Sequence, residues 1–520
     1  MFVRLSGLSF SYTDSVSALN DVTLTLASGW TGVVGPNGAG KTTVLRLIAG
    51  ELEPSAGHVN LDPPRGVIRA CPQTVEAMTP EIAVFAHATD GVARRIHGEL
   101  RLDASSLARW PTLSPGERKR WQVGAALGAE PAVLMLDEPT DHLDVEAREL
   151  LIAGLERFRG VGVIVSHDRA LLDRITRYTV RVNDGRARIW RGGYSDAKCA
   201  WEAEERERYA EYDRLKHQRE NLARRLADKR RLAMSAEAEA NAGTRKRMKF
   251  RGDHDATSMF AKGKAIMASA RISRDAAVLR ASVDRMSEKL GQYKFRKTKG
   301  RSIFVDYVPA PVGKVFTLDH AAIFAGDARI LEDVHLAVLR DAKIRVAGPN
   351  GIGKTTLLAA MLRGAHVAPE RILYLPQELT ARDGIAMLDA VRDLNARERG
   401  RVLTLVAALG IDPDRLLESA APSPGEARKL AIAYGLGRQV WAMVLDEPTN
   451  HLDMPAIERL EEALIEYPGA MVIVTHDDAL AKRCTSIEWR LENGRVELRN
   501  PSSLSAAKDL ARSAYCRRRT

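Results

Sequence analysis

One nine-residue pattern occurs twice, and it limits the possible folds more than any other feature. Gly35-Pro36-Asn37-Gly38-Ala39-Gly40-Lys41-Thr42-Thr43 follows the apolar run 30–34, and Gly348-Pro349-Asn350-Gly351-Ile352-Gly353-Lys354-Thr355-Thr356 follows the run 344–347. Each copy fits a strand, a glycine-rich turn and a helix that stops at Gly50 or Gly364. A glycine turn before an ordinary helix could imitate one copy; two complete copies point to a duplicated phosphate-binding unit. The glycines let backbone N–H groups wrap phosphate oxygens, and the helix N-terminus adds partial positive charge. In such a cradle Lys41 and Lys354 reach the β/γ-phosphates, and Thr42 and Thr355 ligate Mg²⁺.

Further repeats keep the same order. Val133-Leu134-Met135-Leu136-Asp137-Glu138 and Ala442-Met443-Val444-Leu445-Asp446-Glu447 read as buried strands ending in two carboxylates, at the edge where open α/β sheets bind ligands. The first acid can hold Mg²⁺ and the second can orient or deprotonate water, although both could also cap the next segment. Two more apolar strands end at His167 and His476. A lone histidine at a sheet edge is commonly structural, but each lies 29 positions after its glutamate. Ser114-Pro115-Gly116-Glu117 and Ser423-Pro424-Gly425-Glu426 are capping boxes with proline at N1, so each opens a helix and offers an anion site.

In this combination the halves resemble ATP-binding cassette domains, and the fold class expected is α/β: two P-loop nucleotide-binding domains. The resemblance makes Gln73 and Gln377 Q-loop residues, gives Tyr12 and Phe324 to adenine stacking, and implies ATPase activity. It also implies a head-to-tail pairing of the two cassettes within one chain, a monomer with ATP and Mg²⁺ as cofactors. Site one would join Gly35, Asn37, Gly38, Gly40, Lys41, Thr42, Thr43, Gln73, Asp137, Glu138 and His167 to Ser423 and Gly425. Site two would join Gly348, Asn350, Gly351, Gly353, Lys354, Thr355, Thr356, Gln377, Asp446, Glu447 and His476 to Ser114 and Gly116. Glu138, Glu447, His167 and His476 take the catalytic roles; Thr42, Gln73 and Asp137, and Thr355, Gln377 and Asp446, take the metal. Pro115 and Pro424 depart from the usual Leu-Ser-Gly-Gly-Gln signature, as does Pro422 in place of its leading leucine.

The segments Glu138-Pro139-Thr140-Asp141-His142-Leu143-Asp144 and Glu447-Pro448-Thr449-Asn450-His451-Leu452-Asp453 are similar to the D-loops of cassette subfamily F, whose members act on ribosomes. Charge supports a partner of that kind. Residues 201–300 hold 26 Lys and Arg against 15 Asp and Glu, a surplus equal to the net +11 of all 520 residues. Leu279, Val283, Met286, Leu290 and Tyr293 form a heptad seam, and Tyr212, Leu215, Leu222 and Leu226 a second stripe on a helix expected over 198–240. An antiparallel helical hairpin about 60 Å long follows, with its tip at 241–258. The layout expected is a first cassette over 1–194, a basic helical linker over 195–311, a second cassette over 312–498 and a basic tail over 499–520.

The resemblance implies binding at the ribosomal exit site in the ATP-closed form, with the arm near tRNA, rRNA and the peptidyl-transferase centre. Arg245, Lys246, Arg247, Lys249 and Arg251 are the expected RNA contacts. Such a protein is either an antibiotic-resistance ribosome protection factor or a translation factor. The spacing of 41 positions between Gln73 and Ser114 leaves no room for the extra inserted arm of some members, which favours protection. The alternative is the cytoplasmic ATP-hydrolysing subunit of a transporter, which has no need of a cationic hairpin. No apolar run reaches membrane-spanning length, and the four scattered cysteines lack metal-ligand spacing and read as thiols of a reducing cytoplasm.

Overall fold

A computed structural model of the chain describes residues 1–13, 16–64, 66–141, 143–247, 256–291, 293, 304 and 307–499, with side chains except at 16, 236–266, 268, 269 and 321. The segments Val133–Asp137, Val161–Val165, Ala442–Asp446 and Ala470–Val474 lack any polar alternation, and each is buried along its whole length. That is the pattern of strands covered on both faces of a parallel sheet. In the first half the six strands run in the order Ile68–Cys71, Val133–Asp137, Val161–Val165, Gly29–Val34, Thr176–Asn183, Arg186–Arg191. Only the last is antiparallel to its neighbour. The second half repeats this order with Ile372–Leu375, Ala442–Asp446, Ala470–Val474, Lys343–Ala347, Ile487–Glu492 and Arg495–Arg499.

Register then fixes where the chemistry collects. Val165 lies opposite Val33 on one side and Asp137 on the other, so three strands end level. Val474 is matched to Val346 and Asp446 in the same way. The glycine loop, the acidic pair and the histidine therefore leave one sheet edge side by side in each half. A three-stranded antiparallel sheet of Phe2–Thr13, Val16–Ala27 and Ala56–Asp62 shares a core with the first P-loop helix, Lys41–Ala49. Its counterpart in the second half has two strands, Lys314–Ala325 and Ala328–Leu339.

Residues Cys199–Lys299 form one compact unit, and residues 1–198 with 300–520 form a second that contains all four sheets. Helix Tyr194–Arg247 is longer than its sequence stripe indicated, because its alanine- and glutamate-rich stretch after Leu232 has nothing to stop it. Helix Ala256–Gly291 follows. Tyr212 packs on Tyr293 with ring centroids 5.8 Å apart, and Lys229 Nζ stands 3.1 Å from Asp275 Oδ2. Rising numbers in one helix thus meet falling numbers in the other, which defines an antiparallel pair. Leu226 is buried, and Tyr212, Leu215, Leu222, Leu279, Val283, Met286, Leu290 and Tyr293 are half-buried. The side chains of Arg245, Lys246, Arg247, Lys249 and Arg251, and the tail beyond Arg499, lie outside the described residues.

Cys71 and Cys484 are buried free thiols, but Cys199 is disulfide-bonded, contrary to the reading of all four as thiols. Leu226→Ala removes the buried residue of the first arm helix's stripe and is expected to cost about 2 kcal/mol of hairpin stability. Hydrogen exchange along the two arm helices checks this. Unchanged protection there would mean the seam does not hold the pair.

Candidate functional site

Gly40 and Gly353 end the two glycine loops in left-handed conformations, with φ of 98° and 102°. A Cβ at Gly353 would lie 2.1 Å from Ile330 Cγ2, so neither conformation nor space admits a side chain. Lys41 Nζ donates to the Gly35 and Pro36 carbonyls at 2.9 and 3.0 Å, and Lys354 Nζ to those of Gly348 and Pro349 at 2.7 and 3.1 Å. The next hydroxyl in each helix meets the acidic strand: Thr42 Oγ1 donates to Asp137 Oδ2 at 2.9 Å, Thr355 Oγ1 to Asp446 Oδ2 at 2.8 Å.

Glu138 and Glu447 both adopt positive φ, 45° and 47°, directly after their strands. The turn aims each carboxylate at the neighbouring histidine. Glu138 Oε2 accepts the His167 backbone N–H at 3.0 Å, and Oε1 is 3.1 Å from His167 Nε2. Glu447 repeats this more loosely, both distances being 3.4 Å. Gln73 Nε2 donates to Asp141 Oδ2 at 3.0 Å, and the Tyr12 hydroxyl meets Thr43 Oγ1 at 3.0 Å. Ser114 and Ser423 head helices Pro115–Gly128 and Pro424–Gly437 with complete capping boxes, as their sequence requires.

Most of these groups line one cavity of about 1240 Å³ that takes in residues of both glycine loops, both acidic pairs, both histidines and the two capping serines. Tyr12, Gln73, Gln377 and Gly425 are on its wall; Gly35, Gly348, Gly116 and Phe324 are not. Phe324 is exposed on its strand. The halves meet at the first glycine loop, where Asn37 N donates to Asp453 Oδ2 at 2.8 Å and Asn37 Nδ2 to the His451 carbonyl at 3.3 Å. The matching Asn350 turns inward instead, its Oδ1 lying 3.2 Å from His476 Nε2 and 3.4 Å from Lys354 Nζ.

The family model described as "ABC transporter" matches residues 19–141 and 331–450. Over 556 aligned residues the chain is 30% identical to the tylosin resistance ATP-binding protein TlrC of Streptomyces fradiae, covering 95% of this chain and 98% of that one. The chain belongs to subfamily F of the ATP-binding cassette proteins. It is 27% identical to the ribosome protection protein VmlR of Bacillus subtilis, over 90% of this chain and 82% of that one. It is 25% identical to the energy-dependent translational throttle protein EttA of Escherichia coli, over 90% and 88%. Among solved structures, an archaeal ribosome recycling factor in complex with stalk protein aP1 gives a TM-score of 0.59 at 19% identity, covering 98% of this chain and 92% of that one; this likeness concerns the fold alone. As a cassette protein the chain is an ATPase with two cassettes.

Burial governs the electrostatics of both cassettes. Removal from water, then the Asp141 carboxylate, holds Glu138 well above the usual carboxylate range; burial carries Glu447 to about 8. Burial pushes His167 down to about 3 and His476 to about 4, so both imidazoles are neutral near pH 7. Desolvation likewise lowers Lys41 and Lys354 from the ordinary lysine value. The Thr hydroxyl and Asp carboxylate that meet in each cassette are both oxygen donors, which fits a hard divalent ion such as Mg²⁺.

Two buried cations were missed by motif reading. Lys119 Nζ, in the first signature helix, donates to the Pro72, Gln73 and Asp137 carbonyls at 2.6, 3.1 and 3.3 Å. Arg428, at the matching place, binds the Glu447 carbonyl at 2.6 Å and the Gln377 carbonyl at 2.5 Å. Each buried cation ties the Q-loop to the end of the acidic strand. The signal available was a cation five positions after each signature serine.

The elevated Glu447 carboxyl yields a pH prediction. If Glu447 is the general base it must be ionised to take a proton, so kcat/KM for ATP should rise with pH up to about 8, following the free protein. The steady-state pH profile checks this, and in Glu447→Gln the remaining limb should be that of Glu138. A profile flat from pH 6 to 8 would contradict it.

Proposed function

We propose that this chain is an ABC-F ATPase that binds the ribosome's exit site in its ATP-closed state and acts near tRNA and the peptidyl-transferase centre through its basic arm. What supports the reading most is likeness along almost the whole chain to a resistance protein, the 30% identity with TlrC. The local charge surplus over 201–300 supports it independently, since Lys and Arg rather than base-reading groups dominate contacts to RNA phosphates. Arg245, Lys246, Arg247, Lys249 and Arg251 are the proposed RNA contacts, rRNA and tRNA the proposed partners, and a cytoplasmic monomer the proposed form.

In this reading one ATP lies between Lys41, Thr42 and Thr43 and the signature Ser423 and Gly425. The other lies between Lys354, Thr355 and Thr356 and the signature Ser114 and Gly116. Tyr12 and Phe324 stack on adenine. Mg²⁺, held by Thr42, Gln73 and Asp137, or by Thr355, Gln377 and Asp446, neutralises charge on the terminal phosphates when bound. Glu138 and Glu447 accept the proton of the attacking water, and the neutral His167 and His476 hold those carboxylates through the contacts described above.

Release follows hydrolysis because only the ATP form joins both cassettes around the nucleotide, and the ribosome binds that form better. Glu138→Gln with Glu447→Gln should therefore co-sediment with ribosomes in ATP and dissociate in ADP. Absence from the ribosomal pellet in ATP would sink the ribosomal reading and leave the ATPase intact.

Protection against a drug is the outcome favoured within this family, by the likeness to TlrC and to the erythromycin resistance protein MsrA of Staphylococcus epidermidis, 25% identical over 88% of this chain. A general translation role is the second reading, favoured by the likeness to EttA. Expression in a sensitive host should raise the inhibitory concentration of macrolides at least severalfold, with lincosamides, pleuromutilins and phenicols as the comparison set. No change with any of them would turn the assignment to the translation role.

A further inference from the structure

The cassettes differ where the loop after each histidine meets the opposite half. In the first cassette Arg169, two positions beyond His167, reaches across to Glu461, its Nη1 lying 2.7 Å from Oε1. Glu461 is fully buried in helix Met454–Glu466, whose N-cap is the Asp453 that accepts the Asn37 N–H. Arg483 of the second cassette pairs with the other oxygen of Glu461 at 2.5 Å, and Arg169 Nε lies 3.4 Å from Met454 Sδ. The second cassette cannot reproduce this. Two positions beyond His476 stands Asp478, bound at 2.7 Å to Arg345 of its own half, and the place of Glu461 is taken by the buried Ile152.

A buried ion pair is held firmly, because parting it leaves an uncompensated charge out of water. Both ends of this pair adjoin site one. Arg169 is the first residue of helix Arg169–Ile175, directly after the histidine loop, and Glu461 lies two turns along the helix that begins against the first phosphate loop. The pair therefore fixes the distance between the His167 loop and the opposite D-loop.

We propose that Arg169 is a positioning residue for ATP hydrolysis at site one: through Glu461 it pins the His167–Glu138 arrangement to the opposite cassette. Among the described residues site two has no matching pair, since Asp478 is bound within its own half and Ile152 is apolar. The proposal rests on the assignment of Glu138 and Glu447 to two separate hydrolytic sites.

Single-turnover hydrolysis of bound ATP by the full chain tests it, with Glu447→Gln leaving site one active and Glu138→Gln leaving site two. Arg169→Met should slow site one about tenfold or more, as misplacement near a reacting centre does. Affinity for ATP should change less than about threefold, and site two should keep its rate within about twofold. Arg169→Lys should recover part of the loss. Adding Glu461→Leu to Arg169→Met should slow site one no further, since the two act as one unit. Equal slowing at both sites, additive losses or an effect wholly in ATP affinity would overturn the proposal. If Arg169→Met does not fold, Arg169→Lys and the apolar pair Arg169→Met with Glu461→Leu carry the same comparison. If neither glutamine variant alone slows hydrolysis, the site assignment fails instead.

Discussion

A buried carboxylate, Asp453, joins the two cassettes beside the first phosphate loop. It accepts the Ala456 N–H at 2.9 Å and so caps helix Met454–Glu466. It accepts the Asn37 N–H of the opposite phosphate loop at 2.8 Å, and Lys429 of its own signature helix stands 3.7 Å away. A helix start already favours an anion, so the group that ends one helix is free to bind the start of another element. Because Asp453 is buried, each of these partners is also needed: a buried carboxylate short of donors would be costly. The contact between cassettes is thereby built from the same interaction that folds one of them.

The rest of each site depends on level strand ends. Val165 and Val474 each sit between two partners in register, which brings a lysine loop, two acids and a histidine to one edge. The glutamates then leave the strand in a left-handed turn that non-glycine residues seldom adopt, and the repetition at 45° and 47° shows that the surroundings impose it. The cost is met by packing around fully apolar strands. Lys119 and Arg428 each bind one carbonyl at this turn, that of Asp137 and that of Glu447.

Much of this was legible in the chain itself, because the features that carry it are local. Glycines at Gly40 and Gly353, apolar strands ending in Asp-Glu, capping boxes at Ser114 and Ser423, and the heptad seam from Leu279 to Tyr293 all act over a few neighbouring residues. What escaped were contacts between residues far apart in sequence. Nothing near Asp453 marks it as a partner of Asn37, 416 positions away, and Arg169 resembles any helix-opening arginine until Glu461 is placed beside it.

Duplication gave both halves the same cradle, acids and histidine, while the surfaces between them diverged. Arg169 faces Glu461 where Asp478 and Ile152 stand on the other side, so symmetry is kept in the chemistry and broken in the joint. The same joint holds the root of the long helix that begins at Tyr194. Ser195 N donates to Asp173 Oδ1 of the first cassette at 2.7 Å. The Tyr194 hydroxyl and Lys198 Nζ bind Glu458 of the second at 2.6 and 2.5 Å. Glu458 lies one turn before Glu461 in helix Met454–Glu466, the helix that Asp453 caps against the first phosphate loop. Separation of the cassettes must break these root contacts or carry the helix start with one half. Either outcome bears on the first turn of that helix, where Tyr194, Ser195 and Lys198 make these bonds.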